Sequence, residues 1–382
     1  MTPFARADQS MISRWWWTVD RWLILALLLL ISVGLLLNIA ASPSVAERLG
    51  LESFHFTFRQ VIFLSGSILV MFVISLMQTI TVRRLATLMF PVFLLLVYAT
   101  IFFAPEIKGA TRWLPIGNFT LQPSEFLKPA FIVVIGWMLS EQLKNPRFPG
   151  RKISLGLFGL VLLGLVLQPD FGQAVLISMV FAAQLVASGL PLLWVGAFGV
   201  TGISAMIIGY FQVPHIQSRI DAFLSPETAD TYQIDTALNA MKSGGFLGLG
   251  PGEGDVKKIL PDAHTDFIFA VAGEEFGMLA CIGILLLFIV IVVRGLSHLL
   301  EEENPFVVIG AGGLIMLFGL QALINIGVNL AVIPAKGMTL PFISYGGSSA
   351  FALAITMGMV LALTRRNRFL KDKRALNVRR RK

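Results

Sequence analysis

The chain has 382 residues, of which 56% are hydrophobic and only 14% charged, with a mean hydropathy of +0.79. Soluble domains carry about 25% charged residues, so lipid must cover part of this surface, which excludes a water-soluble enzyme and a disordered chain; with Cys281 as its one cysteine it is no disulfide scaffold either. The net charge of +8 belongs to the C-terminus, because Arg365 to Lys382 hold ten Lys or Arg against one Asp and the remainder sums to about −1. A basic run directly after an apolar span marks an anionic membrane surface rather than nucleic acid.

In chain order, residues 1–21 form a short N-terminal segment whose Trp15, Trp16 and Trp17, with Trp22, suit an interfacial belt. Ten apolar stretches near the length of a transmembrane helix follow: 22–41, 58–80, 85–104, 124–140, 154–169, 171–187, 191–211, 267–293, 305–330 and 343–363. The first resembles a signal peptide in its flanks, but its apolar region is too long for one. The expected fold class is therefore an all-α polytopic membrane protein: a ten-span membrane domain over 22–364 followed by a basic tail, 365–382. An even number of spans puts both termini on one side. That side holds Arg6, Arg14, Arg21, Arg83, Arg84, Lys144, Arg147, Arg151, Lys152 and Arg294, against Arg48, Arg59, Lys108, Arg112 and Lys336 opposite. The bias predicts cytoplasmic termini. Two outer segments stand apart: 105–123, rich in Pro, Gly, Trp and charge, and 212–266, the one long loop and the natural seat of function.

Charges near membrane depth are expensive and so are functional candidates. Asp266, where the long loop meets the eighth span, reads either as a general base at the membrane–water boundary or as a helix cap, a task Thr265 or Asp262 would serve equally well. His264 makes only half a metal site with it, and His55, His215 and His298 have no ligand spacing to it. No cofactor is assigned; a divalent cation, Mg or Mn, shared by Asp266 and substrate phosphates stays open. Glu274 and Glu275 are expected about 12–14 Å further along the same helix, one of them lining a polar cavity or both paired with a basic side chain. Glu125 and Lys128 share a helical face, as an ion pair or with Lys128 turned to an anionic substrate. Arg112 and Trp113, Arg219 and Lys242, and Lys336 gather on the outer side, as a phosphate-bearing substrate would require. Asp170 reads as a cap of the sixth span, Cys281 as a buried small hydrophobe. The run SGGFLGLGPGEG, 243–254, is neither a Walker loop nor a dinucleotide fingerprint and reads as a flexible loop.

Five blocks in order resemble the signature blocks of the SEDS family, the bacterial peptidoglycan polymerases of shape, elongation, division and sporulation. They are KGATRWLPIGNFTLQPSEFLKP (108–129), QPDFG (168–172), SRIDAFL…YQ…AL…SGGFLGLG (218–250), PDAHTDFIFAVAGEE (261–275) and KGMTLPFISYGGSS (336–349). The likeness runs from about residue 15 to 366, and KGMTLP is closer to the division branch than to the elongation branch. Asp262 stands where Glu is commoner. The resemblance implies the ten-span fold and a glycosyltransferase that joins lipid II, an undecaprenyl-pyrophosphate-linked disaccharide peptide, into glycan strands outside the bacterial cytoplasmic membrane, at the septum. It implies Asp266 as the essential aspartate and a cavity role for Arg112, Trp113, Glu125 and Lys128. It also implies an FtsI-type class B penicillin-binding protein transpeptidase and other division proteins as partners, with no nucleic acid. Its chemistry suits the residues. A base takes the acceptor hydroxyl proton, cations hold the departing pyrophosphate, and backside attack inverts the donor carbon. A lipid II flippase and a non-catalytic division scaffold are the rival readings, although no inverted repeat is visible and the polar residues cluster towards one face.

Overall fold

In a bilayer every backbone N–H and C=O must find a partner within the protein, so a chain this apolar can only span as helices. The computed structural model describes residues 10–106, 109–117, 119–191, 232–334 and 337–365, together with isolated positions between 193 and 221. Its helices are α1 (Met11–Thr18), α2 (Arg21–Arg48), α3 (His55–Ser75), α4 (Thr79–Phe103), α5 (Pro123–Lys144), α6 (Gly150–Leu167), α7 (Phe171–Ala187), α8 (Tyr232–Gly244), α9 (Val256–Ile259), α10 (Ile268–Leu299), α11 (Pro305–Asn329) and α12 (Gly347–Leu363). Seven of these are long and apolar enough to cross a membrane, and α7 and α12 are shorter apolar helices. Together they account for nine of the ten expected spans; the seventh, 191–211, and the basic tail beyond Arg365 fall largely outside the described residues. Between α4 and α5, where the sequence predicts only an irregular outer segment, β1 (Leu114–Ile116) and β2 (Phe119–Leu121) pair antiparallel, with Leu114 opposite Leu121.

The bundle is organised around α5 and α11. Their apolar windows are 72% and 67% buried, against 22% for α4, whose remaining surface is left to lipid. Small residues let the two central helices touch: a Cβ on Gly136 would lie 2.8 Å from Gly310 Cα, and one on Gly313 would meet Ile132 and Gln184. Gln184 of α7 ties both together by donating from Nε2 to Ile132 O (2.8 Å) and Ile309 O (3.2 Å). Its neighbours α4, α7 and α12 pack around this pair, and α2 and α3 close the bundle against α10 and α12.

The eighth expected span is not one straight helix. At Gly277 φ is 77° and ψ −177°, and the chain bends sharply. In a continuous helix Phe269 and Cys281 would be about 18 Å apart, yet the buried Cys281 Sγ lies 3.8 Å from Phe269 O. Residues 268–276 therefore double back beside 278–299. Glu274 and Glu275 sit at the bend, not part-way along one straight helix as the sequence leads one to expect.

Such a break orphans carbonyls on one piece and N–H groups on the other. The glycine-rich run supplies both, so it is a fitted splint and not a flexible loop. Leu249 and Gly250 donate their N–H groups to Glu274 O and Glu275 O (both 3.0 Å), while Met278 and Leu279 donate to Gly245 O (2.9 Å) and Phe246 O (3.3 Å). Only glycine allows this approach, since a Cβ on Gly244 would stand 2.0 Å from Gly273 O and one on Gly248, at φ 83°, 2.2 Å from Glu275 O. The two acidic side chains lock the same region. Glu274, fully buried, accepts from the N–H groups of Val256 (2.7 Å) and Lys257 (2.8 Å) at the start of α9, and Glu275 pairs with the buried Lys257 ammonium.

At the opposite face the N-terminal segment is pinned to the end of α10. Asp20 caps α2 by accepting from Trp22 and Leu23 N–H and also accepts from Arg294 Nε (2.7 Å) and from His298 Nε2. Trp15 of α1 donates to Ser75 Oγ (2.9 Å), and Arg365, past the end of α12, donates to Leu76 O (3.3 Å), so both described ends of the chain lie on this face. Burial by itself would raise the Asp20 carboxyl, but the hydrogen bonds from Arg294 and His298 and the backbone N–H of Leu23 outweigh it and hold it at about 2.

Gly248→Ala is expected to cost about 1–3 kcal/mol through steric overlap and backbone strain, read as a lowered melting temperature of the purified protein. Gly252→Ala, also at positive φ but in open space, should cost less. Because the Asp20 pKa is depressed from 3.8, its contribution is whole above that value and fades as the pH falls through about 2. Asp20→Asn should therefore lower the melting temperature at neutral pH, and the difference from the parent should shrink in acid.

Candidate active site

Two non-helical segments meet inside the bundle, in the half away from the described chain ends. The first, 261–267, leads into α10 and carries His264 and Asp266; the second, 337–346, leads into α12, which begins at Gly347 and not at the expected residue 343. Irregular backbone away from water needs partners of its own. Amide side chains supply them. Asn325 Nδ2 donates to Met338 O (2.6 Å), Gln321 Nε2 to Thr339 O (3.1 Å), Asn38 Nδ2 to Ile343 O (2.7 Å) and Gln60 Nε2 to Ser344 O (3.2 Å). Asn38 lies ten residues, about 15 Å, before the end of α2. The two segments also bond to each other, through Tyr345 N–H to His264 O (2.8 Å) and Ser344 Oγ to Thr265 O. Gly34 opens the space on α2, since a Cβ there would stand 2.3 Å from Phe342 O.

Asp266 is held by its backbone. Asn325 and Asn329 both donate from Nδ2 to Asp266 O, at 2.9 and 3.0 Å, and Asn329 Oδ1 accepts the Ala270 N–H (3.1 Å) one turn further on. The Asp266 carboxylate is half-buried and faces Gly337, where an added Cβ would lie 3.0 Å from Oδ2. The cap of α10 is Phe267 and no side chain caps it, so the helix-cap alternative for Asp266 does not describe this helix start. The His264 ring packs against Phe56 (centroids 4.7 Å apart) and Tyr345 (5.3 Å). Arg59 of α3 stands beside the Tyr345 side chain and brings a further cation to this corner.

Beneath lies a buried polar core. Lys128 Nζ stands 2.9 Å from both Glu125 carboxylate oxygens and donates to Gln173 Oε1 (3.0 Å) and Gln321 Oε1 (3.1 Å). Gln173 Nε2 in turn donates to Glu125 Oε1 (2.7 Å). Three ammonium protons thus meet three residues from α5, α7 and α11, and Gln321 passes the connection to Thr339, two residues from Gly337. Of the two readings of Glu125 and Lys128, the ion pair is the one the structure contains, and Gln321 connects it to the Asp266 corner.

Arg112 belongs to the corner between α6 and α7. Its Nη1 is 3.6 Å from Asp170 Oδ1, Nε donates to Gln168 O (3.5 Å) and Nη2 to Pro169 O. Asp170 stands at the cap position of α7 and also faces Arg112; burial pushes its carboxyl up against the pull of that guanidinium. Trp113 is half-buried beside it. Glu274 is taken up by α9, away from Asp266. Arg219 and Lys336 lie outside the described residues, Lys336 being the sequence neighbour of Gly337. Among the described residues no three His, Cys, Asp or Glu side chains gather at one point.

Gln321, Asn325 and Asn329 were missed in the sequence, and so was Gln173. The signal was present: three amides at i, i+4 and i+8 draw one polar stripe along an otherwise apolar span.

This architecture, an all-helical polytopic membrane protein with two irregular segments crossing inside the bundle, has close counterparts. A chain from the structure described as "Structural coordination of polymerization and crosslinking by a peptidoglycan synthase complex" matches with a TM-score of 0.74 at 24% identity, over 91% of this chain and 97% of that one. The rod shape determining protein RodA of Thermus thermophilus matches with a TM-score of 0.67 at 23% identity, over the same shares. The family model described as "Cell cycle protein", covering FtsW, RodA and SpoVE, matches residues 20–369. "Probable peptidoglycan glycosyltransferase FtsW" of Caulobacter vibrioides is 45% identical over 95% of this chain and 93% of its own length. Stage V sporulation protein E of Bacillus subtilis is 33% identical over 92% and 98%. The chain belongs to the FtsW/RodA/SpoVE family, the SEDS proteins.

Lys128→Met should destabilise the protein by about 3–5 kcal/mol, because it strands the Glu125 carboxylate without its counter-charge. The double variant Glu125→Gln, Lys128→Met should recover much of that loss in the same thermal or denaturant measurement.

Proposed function

We propose that this protein is a peptidoglycan glycosyltransferase that polymerises lipid II at the division septum, with Asp266 as general base. The observation that carries this reading is the double amide clamp on the Asp266 main-chain carbonyl. It fixes where the carboxylate stands, while the side chain keeps a half-open face beside Gly337. A base must be held within hydrogen-bond reach of the proton it takes, and clamping the backbone fixes where the carboxylate stands.

In the reaction, Asp266 accepts the acceptor-hydroxyl proton as the sugar oxygen attacks the donor anomeric carbon from the face opposite the pyrophosphate. The bond to the lipid diphosphate breaks and the centre inverts. The leaving group departs as an anion, so it needs cations more than an acid. Lys336, Arg219 and Arg59 are proposed for that charge. Arg112 and Lys128 act at one remove: Arg112, with Trp113 beside it, steadies the α6–α7 corner, and Lys128 with Glu125 holds α5, α7 and α11 in the arrangement that carries Thr339. His264 positions the Asp266 segment through Tyr345, and Glu274 anchors the splinted bend. A divalent cation, Mg or Mn, would find Asp266 and the substrate phosphates as its ligands.

The wider setting follows from the same reading. The catalytic domain covers 22–364, the Arg- and Lys-rich face with both described ends is cytoplasmic, and Asp266 works from the outer side. A class B penicillin-binding protein of the FtsI type crosslinks the product. The isoprenoid tail of the substrate calls for a lateral apolar channel. The groove of about 260 Å³ between α10 and α11, lined by Leu285, Phe288, Val292, Gly319 and Leu323, is one recess of suitable chemistry.

Asp266→Asn and Asp266→Ala should abolish lipid II polymerisation by the purified protein with its transpeptidase partner while leaving the melting temperature near that of the parent. Full-length polymer from either variant would remove the base assignment. A vesicle assay that scores translocation separately distinguishes a polymerase from a flippase. Lys336→Ala and Arg219→Ala should raise the KM for the donor.

A further inference from the structure

On the face opposite Asp266, the bundle holds a second charged recess that the glycosyltransferase reading does not use. It has a volume of about 370 Å³ and is lined by Arg83, Arg84, Thr87 and Leu88 of α4 and by Trp137 of α5. Arg83 and Arg84 come four and five residues after the start of α4, and Trp137 seven before the end of α5. The recess therefore sits near the end of the bundle where both described chain ends lie.

Three observations define its chemistry. First, Arg83 Cζ stands 4.8 Å from the centroid of the Trp137 ring, so one wall is a guanidinium stacked on an indole. Second, among the described residues neither Arg83 nor Arg84 is paired with a carboxylate, in contrast to Arg112 and Arg294. Adjacent unneutralised guanidiniums at a membrane edge repel one another and attract an anion, and their planar forks match phosphate oxygens. Third, the Trp137 indole N–H is buried and has no acceptor among the described residues, a polar group that a ligand oxygen would satisfy. Below the recess the exposed apolar side chains of α4 continue as a track, Leu88, Val92 and Leu95 at i, i+4 and i+7, each 53–71% exposed on a helix given over to lipid.

We propose that this recess binds the headgroup of an anionic phospholipid, with its phosphate between Arg83 and Arg84 and one acyl chain along Leu88, Val92 and Leu95. The apolar track decides for a lipid over a soluble phosphate. A soluble anion would need only the cations, whereas the α4 stripe gives an acyl chain a continuous seat leading away from them. Occupancy would fasten α4 to α5, the central helix that carries Glu125 and Lys128.

The test uses the full-length protein in mild detergent, with lipid retention read by native mass spectrometry as phosphatidylglycerol or phosphatidylcholine is titrated in. The parent should retain phosphatidylglycerol in preference to phosphatidylcholine. Each arginine at an anionic surface is worth about fivefold, so Arg83→Gln, Arg84→Gln should weaken phosphatidylglycerol retention roughly twentyfold. Arg147→Gln, Lys152→Gln, on the same face but outside the recess, should change it by less than about twofold. Equal retention by the Arg83/Arg84 pair, or an equal loss in the Arg147/Lys152 pair, overturns the site. Excess inorganic phosphate should fail to displace the lipid; displacement would mark a soluble-phosphate site and overturn the lipid assignment. Should the glutamine pair not assemble, Trp137→Phe carries the test: it keeps the ring and drops the N–H, and phosphatidylglycerol retention as tight as the parent's overturns the proposal.

Discussion

Unpaired backbone groups in lipid cost more than this fold can leave standing, and that constraint organises the half of the molecule that holds Asp266. The chain breaks helical geometry in three places: at 261–267, at Gly277 and at 337–346. Each break frees N–H and C=O groups that a helix would have satisfied internally. The amides of Asn38, Gln60, Gln321, Asn325 and Asn329 receive the first and third, and the backbone of the glycine-rich run receives the second. Remove the breaks and the bundle would be an ordinary set of spans with nothing to hold a carboxylate beside a second polar strand.

The same repairs set where the acidic and basic side chains stand. The double clamp on the Asp266 carbonyl sets where its half-buried carboxylate stands. The buried Lys128 ammonium, by contrast, has its protons committed to Glu125, Gln173 and Gln321, so its charge organises helices. Buried ion pairs are poor sources of net stability but costly to leave half-made. A charge deep in an apolar span is therefore as often a fastening as a reactive group, and only its partners tell the two apart.

The same logic separates the two faces. On the Asp266 side, Arg112 and Lys257 are committed to carbonyls or carboxylates. On the other face Asp20 gathers Arg294 and His298 and joins the N-terminal segment to the far end of α10. Arg83 and Arg84, near the start of the lipid-facing α4, pair with no carboxylate among the described residues.

Composition and hydropathy were enough to read a polytopic helical bundle, with helices over nine of the ten expected stretches, and motif order was enough to point to the family. These are local properties: twenty apolar residues in a row must span, and a signature block is a string of letters. The bend at Gly277, the splint from the glycine-rich run and the late start of α12 were not legible, because each depends on groups far apart in the chain meeting in space. GPGEG in isolation looks loose, and Glu274 in isolation looks like a cavity residue. The amide stripe Gln321, Asn325, Asn329 could be seen as a pattern but not interpreted, since its meaning lies in the carbonyls it faces. The sequence by itself determined that Asp266 would be a carboxylate at the end of a span. Tertiary structure alone decided that it lies below a doubled-back helix, held by its backbone, because hydrogen-bond partners in a membrane are chosen by proximity in the fold and not by spacing along the chain.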